Sequence, residues 1–312
     1  MVSTKSRTHK APAKMRPKIT SKLERFTPTK AKFVLESKNY EDNRKISAPW
    51  VEYLARQMKA GLWRSNGEAL IFDVDDNLLD GQHRLSAVVE SGITVDLLTV
   101  KGIDTEAFTT IDQGKIRTAG QVFKMQGEKY GMLLAAACRK IYAWEILGTP
   151  ARKARLSPDE LALVLECYPE IRDSVVVASK VKSRVPVDGS MVAFCHWLFK
   201  RARPKKVVDF FDSLESGQGK SRRDPAVVLR DRLFRERSKH RRWGPTELFA
   251  IFTRAWNYYD KGQEVSSLAI KPDRDGTFKV PTVRGLGRSQ GNRGGRDKTA
   301  SFVNTTPPKR WY

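Results

Sequence analysis

Strand-like patterning stops at Thr118 in this 312-residue chain. Before that point, short apolar runs rich in Val, Ile and Leu alternate with helical periodicity. After it, every apolar run carries the three-to-four residue spacing of a helix that buries one face. The chain therefore reads as α+β, with a small mixed-sheet unit first and an all-helical unit second. The first unit is expected over residues 33–117 and the second over 118–262. A basic arm (1–32) and a basic Gly/Arg-rich tail (263–312) flank them, and both are expected to be disordered.

Local signals place the elements. The stretch APWVEYLARQMKAGLW puts Val51, Leu54, Ala55, Met58 and Leu62 at helical spacing and stops at Gly61. EALIFD (Glu68–Asp73) reads as a strand, VDDN as a turn and LLD (Leu78–Asp80) as the return strand of a hairpin. Asp73, Asp75 and Asp76 belong to that turn for backbone reasons and not as metal ligands. QHRLSAVVESG is a short helix closed by Gly92. Thr94–Gly102 is a strand rich in β-branched residues, and Asp104–Asp112 is a second short helix. Beyond Thr118 the clearest start signal is Ser157-Pro158-Asp159-Glu160, a capping box with proline at the first helical position. Further helices are expected near 170–182, 190–202, 205–215, 225–238 and 245–260.

Charge is distributed unevenly. Of a net +23, residues 1–32 hold ten Lys and Arg against one Glu, residues 200–242 hold fifteen against six acids, and residues 271–312 hold ten against three. The remainder is close to neutral. Three segments of one sign suit a polyanion, because each cation that meets a phosphate releases counterions. Within the internal segment, Arg222, Arg223, Arg230, Arg237, Lys239, Arg241 and Arg242 are the candidate nucleic-acid contacts. The bland alternative is that basic tails keep the chain soluble. No apolar run is long enough to span a membrane, and the N-terminal arm lacks the apolar stretch of a secretory signal. Cys138, Cys167 and Cys195 lie in apolar helical contexts outside any C-x-x-C pair, so they read as buried free thiols of a cytoplasmic protein. His9, His83, His196 and His240 have no metal-ligand spacing.

One stretch concentrates chemistry. In Asp80-Gly81-Gln82-His83-Arg84 a strand hands over to a helix through a glycine that tolerates positive φ. The first helical turn presents unpaired N–H groups and the positive end of the dipole, a ready anion site. Arg84 adds a guanidinium fork, His83 a proton carrier near neutral pH, and Asp80 a group to hold Arg84 or a metal ion. The alternative is a helix capped by Asp80 with Arg84 paired to a carboxylate. A second cluster, TIDQGKIRT, sets Asp112, Gln113 and Arg117 ahead of Thr118, the expected N-cap of the next helix. There Arg117 is a candidate phosphate clamp and Asp112 its orienter, or the two form a salt bridge. Glu68 is a solvent-exposed strand start or an acid near the pocket.

D-G-Q-H-R-L-x-A resembles the signature of the ParB/sulfiredoxin-like superfamily in its DGQHR variant, found in proteins of phages and plasmids. NGEALIFD, LLDGQHRLSAVVESG and GIDTEAFTTIDQGKIRTAGQVF extend the resemblance over about 43–125. It implies a ParB/Srx-like fold and a phosphate or nucleotide pocket at the loop. Gly81, Arg84 and Ala87 match the G-x-x-R-x-x-A skeleton of the related nucleotide-binding box, while Gln82 and His83 replace its central Glu-Arg. Gln82 stands where sulfiredoxins carry their reactive cysteine. Proteins with DGQHR itself include DndB-like regulators of DNA modification. The resemblance thus implies a nucleic-acid-binding protein, DNA ahead of RNA, with either a nucleotide (CTP or ATP with Mg²⁺) or no cofactor; no membrane partner is expected, and a homodimer is a candidate assembly. The alternative is a nuclease or a nucleotide-hydrolysing or phosphotransfer enzyme, in which Asp80, His83, Arg84 and Asp112 are catalytic and Gly81, Gln82, Gln113, Arg117 and Thr118 bind phosphate.

Overall fold

The computed structural model describes residues 18–111, 118–274 and 276–286. The chain divides into two compact units between Lys115 and Ile116. Both are consistent with an α+β chain: a four-stranded mixed sheet lies in the first, and among the described residues the second is built from helices and extended segments.

In the first unit the sheet order is β1-β4-β2-β3. Strand β1 (Thr20–Phe26) runs antiparallel to β4 (Val95–Ile103), β4 is parallel to β2 (Ala69–Asp73), and β2 forms a hairpin with β3 (Leu78–Asp80). Helices α1 (Pro28–Ser37), α2 (Ala48–Lys59) and α3 (Gln82–Ser91) supply the other layer, with α3 packed against both α1 and α2. Val51, Ala55 and Met58 of α2, Leu85 and Val88 of α3, and Leu70, Phe72 and Leu97 of the sheet share one buried core. Burying each such side chain stabilises the fold by about 1.5–3 kcal/mol. A 3₁₀ turn (Thr105–Thr110) follows β4, with Asp104 accepting from the Glu106 N–H.

Order begins earlier than Phe33. Residues 20–37 form β1 and α1, the latter opened by Thr27, whose hydroxyl accepts from the Lys30 N–H, and by Pro28 at its first turn. The strand hides in the sequence because it is an edge: Leu23 is 60% exposed, and Lys22, Glu24 and Arg25 flank it. Charged edge strands resist pairing with other chains, and that same composition reads as a solvated arm.

The second unit contains α4 (Ala119–Met125), α5 (Gly131–Leu147), α6 (Pro158–Cys167), α7 (Ile171–Arg184), α8 (Gly189–Ala202), α9 (Pro204–Ser216), α10 (Pro225–Ser238) and α11 (Pro245–Lys261). Capping boxes open α4 at Thr118–Gln121 and α6 at Ser157–Glu160. Helix α8 is buried on every side from Gly189 to Phe199, so it forms the axis of the unit. Phe199 stacks on Trp256 of α11 at 4.7 Å, and Phe210 meets Trp256 edge-on. His196 sits in this core beside Phe211, its Nδ1 2.8 Å from the Ser174 hydroxyl. Burial, aided by the nearby Lys200 charge, lowers its pKa to about 4.

Two further expectations are corrected here. Residues 263–274 and 276–286 belong to a strap anchored on the helical core and not to the start of a disordered tail. Leu268 and Val283 are buried in the helical core, and Asn257 accepts from the Arg284 N–H and donates to the Thr282 carbonyl. Asp260 anchors the strap's end through Arg284 at 2.8 Å. Secondly, Cys138 and Cys195 are buried, but Cys167, at the end of α6, is exposed. Residues 1–17 and 287–312, which carry the rest of both basic tails, lie outside the described residues.

Candidate nucleic-acid interface

The DGQHR loop is built around its glycine. Gly81 has φ +110°, and a Cβ there would stand 2.2 Å from Cδ2 of the fully buried Leu70. Only glycine satisfies both the bend and this approach to β2. Asp80 does not cap α3; Gly81 is the N-cap, without a side-chain hydrogen bond. Gln82 Nε2 donates to the Arg44 carbonyl at 2.5 Å, and His83 Nε2 accepts from the Ser47 N–H at 3.0 Å. Both side chains are buried and tie α3 to the segment before α2. Arg84 Nη2 donates to Asp80 Oδ2 at 2.7 Å and to the Ala69 carbonyl at 2.8 Å. The loop's charged pair is thus closed on itself: Asp80 holds Arg84, as one expected role had it, and the alternative in which Asp80 caps the helix is not what forms. Arg84 Nη1 is buried and has no partner among the described residues.

The other candidates near the loop in sequence divide clearly. Asp112, Gln113 and Arg117 lie outside the described residues. Thr118 is used by its helix: its hydroxyl accepts from the Gln121 N–H, and Gln121 Oε1 accepts from the Thr118 N–H. Asp73 is the acceptor of the hairpin turn, bonded to the N–H groups of Asp75 and Asn77, to Asn77 Nδ2 and to the Thr105 hydroxyl. Burial opposes its charge, but those donors outweigh it and hold the carboxyl below its ordinary range. Asp76 is held between Lys38 and Lys101, and Glu68 is exposed. Among the described residues no group of three or more His, Cys, Asp or Glu side chains could hold a metal ion.

The basic segment of the second unit is sorted by packing. Arg230 is withdrawn from the surface role expected of it: its Nη1 donates to the carbonyls of Leu214 and Glu215 at the end of α9, and its guanidinium lies over Phe234. Arg241 stays exposed but is ion-paired, bridging Glu236 at 3.1 Å and Glu247 at 2.5 Å. Those bonds from Arg241, with the Arg232 charge, hold Glu236 below the ordinary carboxylate range. Arg222, Arg223, Arg237, Lys239 and Arg242 are exposed, and none forms an ion pair among the described residues. Asp224, meanwhile, is buried as the cap of α10, accepting from the Ala226 N–H at 2.9 Å.

Packing also adds a cation that the sequence did not single out. A cavity of about 400 Å³ opens where the end of α7 and the α7–α8 loop meet the end of α10 and the loop into α11. Lys182, Arg237, Arg241 and Arg242 line it together with Trp243. Lys182 belongs to a different helix from the arginines, 55 positions before Arg237 in the sequence, so no local pattern links them. The lone acid in the lining, Asp188, caps α8 by accepting from the Ser190 and Met191 N–H groups. Burial opposes its charge, yet the Ser190 hydroxyl, those N–H groups and the Lys140 charge keep its carboxyl low.

Set against protein-family models, curated proteins and solved structures, the chain matches none of them.

Proposed function

We propose that the chain is a nucleic-acid-binding protein, DNA ahead of RNA, whose contact surface is the basic face of the helical unit. One observation carries this reading. Arg222–Arg242 holds nine Lys and Arg against three acids, and two of those acids, Asp224 and Glu236, are buried in caps and ion pairs. The surface is therefore more basic than the composition, which favours an electrostatic contact that tracks the phosphate backbone. The ParB/Srx-like resemblance, with the DNA association it implies, and a homodimeric assembly belong to the same proposal. In it, the DGQHR loop is the latch that fixes α3 to the sheet. No helix among the described residues is long and apolar enough to cross a membrane.

The test is a salt series with labelled duplex and single-stranded oligonucleotides. Affinity should fall steeply, by about 0.9 log units per log unit of salt for each duplex phosphate neutralised. The triple variant Arg222→Gln/Arg223→Gln/Lys239→Gln should flatten that slope by about 3. An unchanged slope sinks the assignment of this face.

A second reading puts a phosphate or nucleotide at the DGQHR loop, and the unspent Arg84 Nη1 donor favours it. Incubation with labelled CTP or ATP and Mg²⁺, beside Arg84→Ala, tests it. Retention or turnover lost in the variant supports it, and neither in the native protein removes it.

A further inference from the structure

The α7/α10 cavity joins two kinds of lining. Its lining holds Lys182, Arg237 and Arg242, three exposed cations with no ion pair among the described residues, against the single carboxylate of Asp188. Three like charges around one opening repel each other, and an anion seated there relieves that repulsion. Val187, Pro245 and Trp243 add apolar lining to the same cavity. The indole is held in place: Arg241 lies over it at 5.3 Å and Arg232 at 5.9 Å. Arg241 is in turn fixed by Glu236 and Glu247, and Arg232 by Glu236 and the Leu268 carbonyl. The strap therefore helps set this lining.

Size narrows the ligand. About 400 Å³ lies inside the range of small-molecule sites, roughly 300–1,000 Å³, and is far more than a bare phosphate fills. A base inside a duplex is stacked and paired and cannot enter. We propose that this cavity binds one unstacked nucleotide, its phosphate on Lys182, Arg237 and Arg242 and its base against the Trp243 wall. Flat aromatic side chains beside cations are how proteins hold single bases of any sequence. The nucleotide comes from a strand end or an unpaired stretch, or is free in solution. The strand sources rest on the nucleic-acid reading above; the free nucleotide does not.

Calorimetric titration of the full chain separates these cases. Titrants are AMP and dCMP, with adenosine and inorganic phosphate as the half-ligands and a 5′-phosphorylated 12-nucleotide single strand as the polymer. Both mononucleotides should bind, with adenosine and phosphate each at least about tenfold weaker. Lys182→Ala and Arg242→Ala, both at exposed positions, should each weaken mononucleotide binding about tenfold, the effect of losing one charged hydrogen bond. Lys205→Ala, on an exposed turn of α9 outside the cavity, should not. Trp243→Ala should bring the mononucleotide down to the level of phosphate alone. No mononucleotide binding, binding that ignores Lys182→Ala and Arg242→Ala, or phosphate binding as tightly as AMP overturns the proposal. If the strand still binds with a steep salt dependence in that event, only the cavity has failed. If AMP binds through Lys182 and Arg242 but the strand does not bind at all, the cavity is a free-nucleotide site and the nucleic-acid reading has failed instead.

Discussion

The DGQHR loop and the basic face of the helical unit hold similar residues in opposite states. In the loop, Arg84 turns inward, paired with Asp80 four residues before it and with a strand carbonyl. At the α10–α11 corner the carboxylates turn inward, and Arg237, Lys239 and Arg242 stay in water. Charged residues crowded at one helix start neutralise each other, because the i, i+4 geometry brings them together at no further cost in chain entropy. A basic helix with few acids cannot do this. Once Glu236 has taken Arg232 and Arg241, the surplus has no internal partner. A motif dense in chemistry has become framework here, and a stretch with no motif has become the exposed charge.

The sharpest way to break this comparison is at Gly81. Gly81→Ala imposes positive φ on a side chain and drives its Cβ into Leu70, so the first unit should lose about 4 kcal/mol in urea unfolding. A loss below 1 kcal/mol would mean the loop is looser than a latch.

Next comes pH, which separates the two units. His196 is buried with its pKa lowered to about 4, so its stabilising contribution is complete above about pH 6.5 and is lost as pH falls from there toward 4. That amounts to about 3 kcal/mol in the helical unit. In the sheet unit, burial opposes the charge on Glu24, but hydrogen bonds from Lys30, Thr99 and Lys22 bring its pKa down to about 2. Its contribution is present above about pH 4.5 and disappears only as pH falls toward 2. Acid titration followed by hydrogen exchange should show the helical unit weakening first, and His196→Gln should flatten its slope between pH 6.5 and 4. Simultaneous loss of both units would remove the distinction.

The smallest effect belongs to Arg84. Arg84→Ala frees the Asp80 carboxylate and one strand carbonyl, at about 2 kcal/mol, and Arg84→Lys should recover about half by keeping the charge. Thermal unfolding of both variants reads this directly. A drop in oligonucleotide affinity larger than the drop in stability would move the binding surface toward the loop.

Much of the framework was legible. Thr118, Ser157-Pro158-Glu160 and Gly92 mark helix ends through bonds made within four residues, and the structure places each as a cap. The Leu78–Asp80 return strand and the Asp-rich turn are equally local. Strand β1 was not legible. Its partner β4 is about 75 residues away, and its exposed edge needs no apolar alternation. The strap was hidden too, because two buried anchors, Leu268 and Val283, are too sparse to make a pattern. For the candidate site, exposure of Arg222, Arg223, Arg237, Lys239 and Arg242 follows the sequence reading, whereas the pairing of Arg230 with carbonyls and of Arg241 with Glu236 and Glu247 was not legible there.

By itself, the sequence determined the helix ends marked by Gly92, Thr118 and Ser157, that strands are confined to the first unit among the described residues, and that positive charge gathers in one internal segment. These follow from hydrogen bonds and spacings spanning a turn or two of chain. Tertiary structure alone decided which cations find an acid or a carbonyl and which are left facing water. It also brought Lys182 of α7 beside Arg237 and Arg242. The reason is that a charge is settled by its nearest neighbours in space, and folding chooses those neighbours by packing apolar faces that carry no record of where the charges will fall.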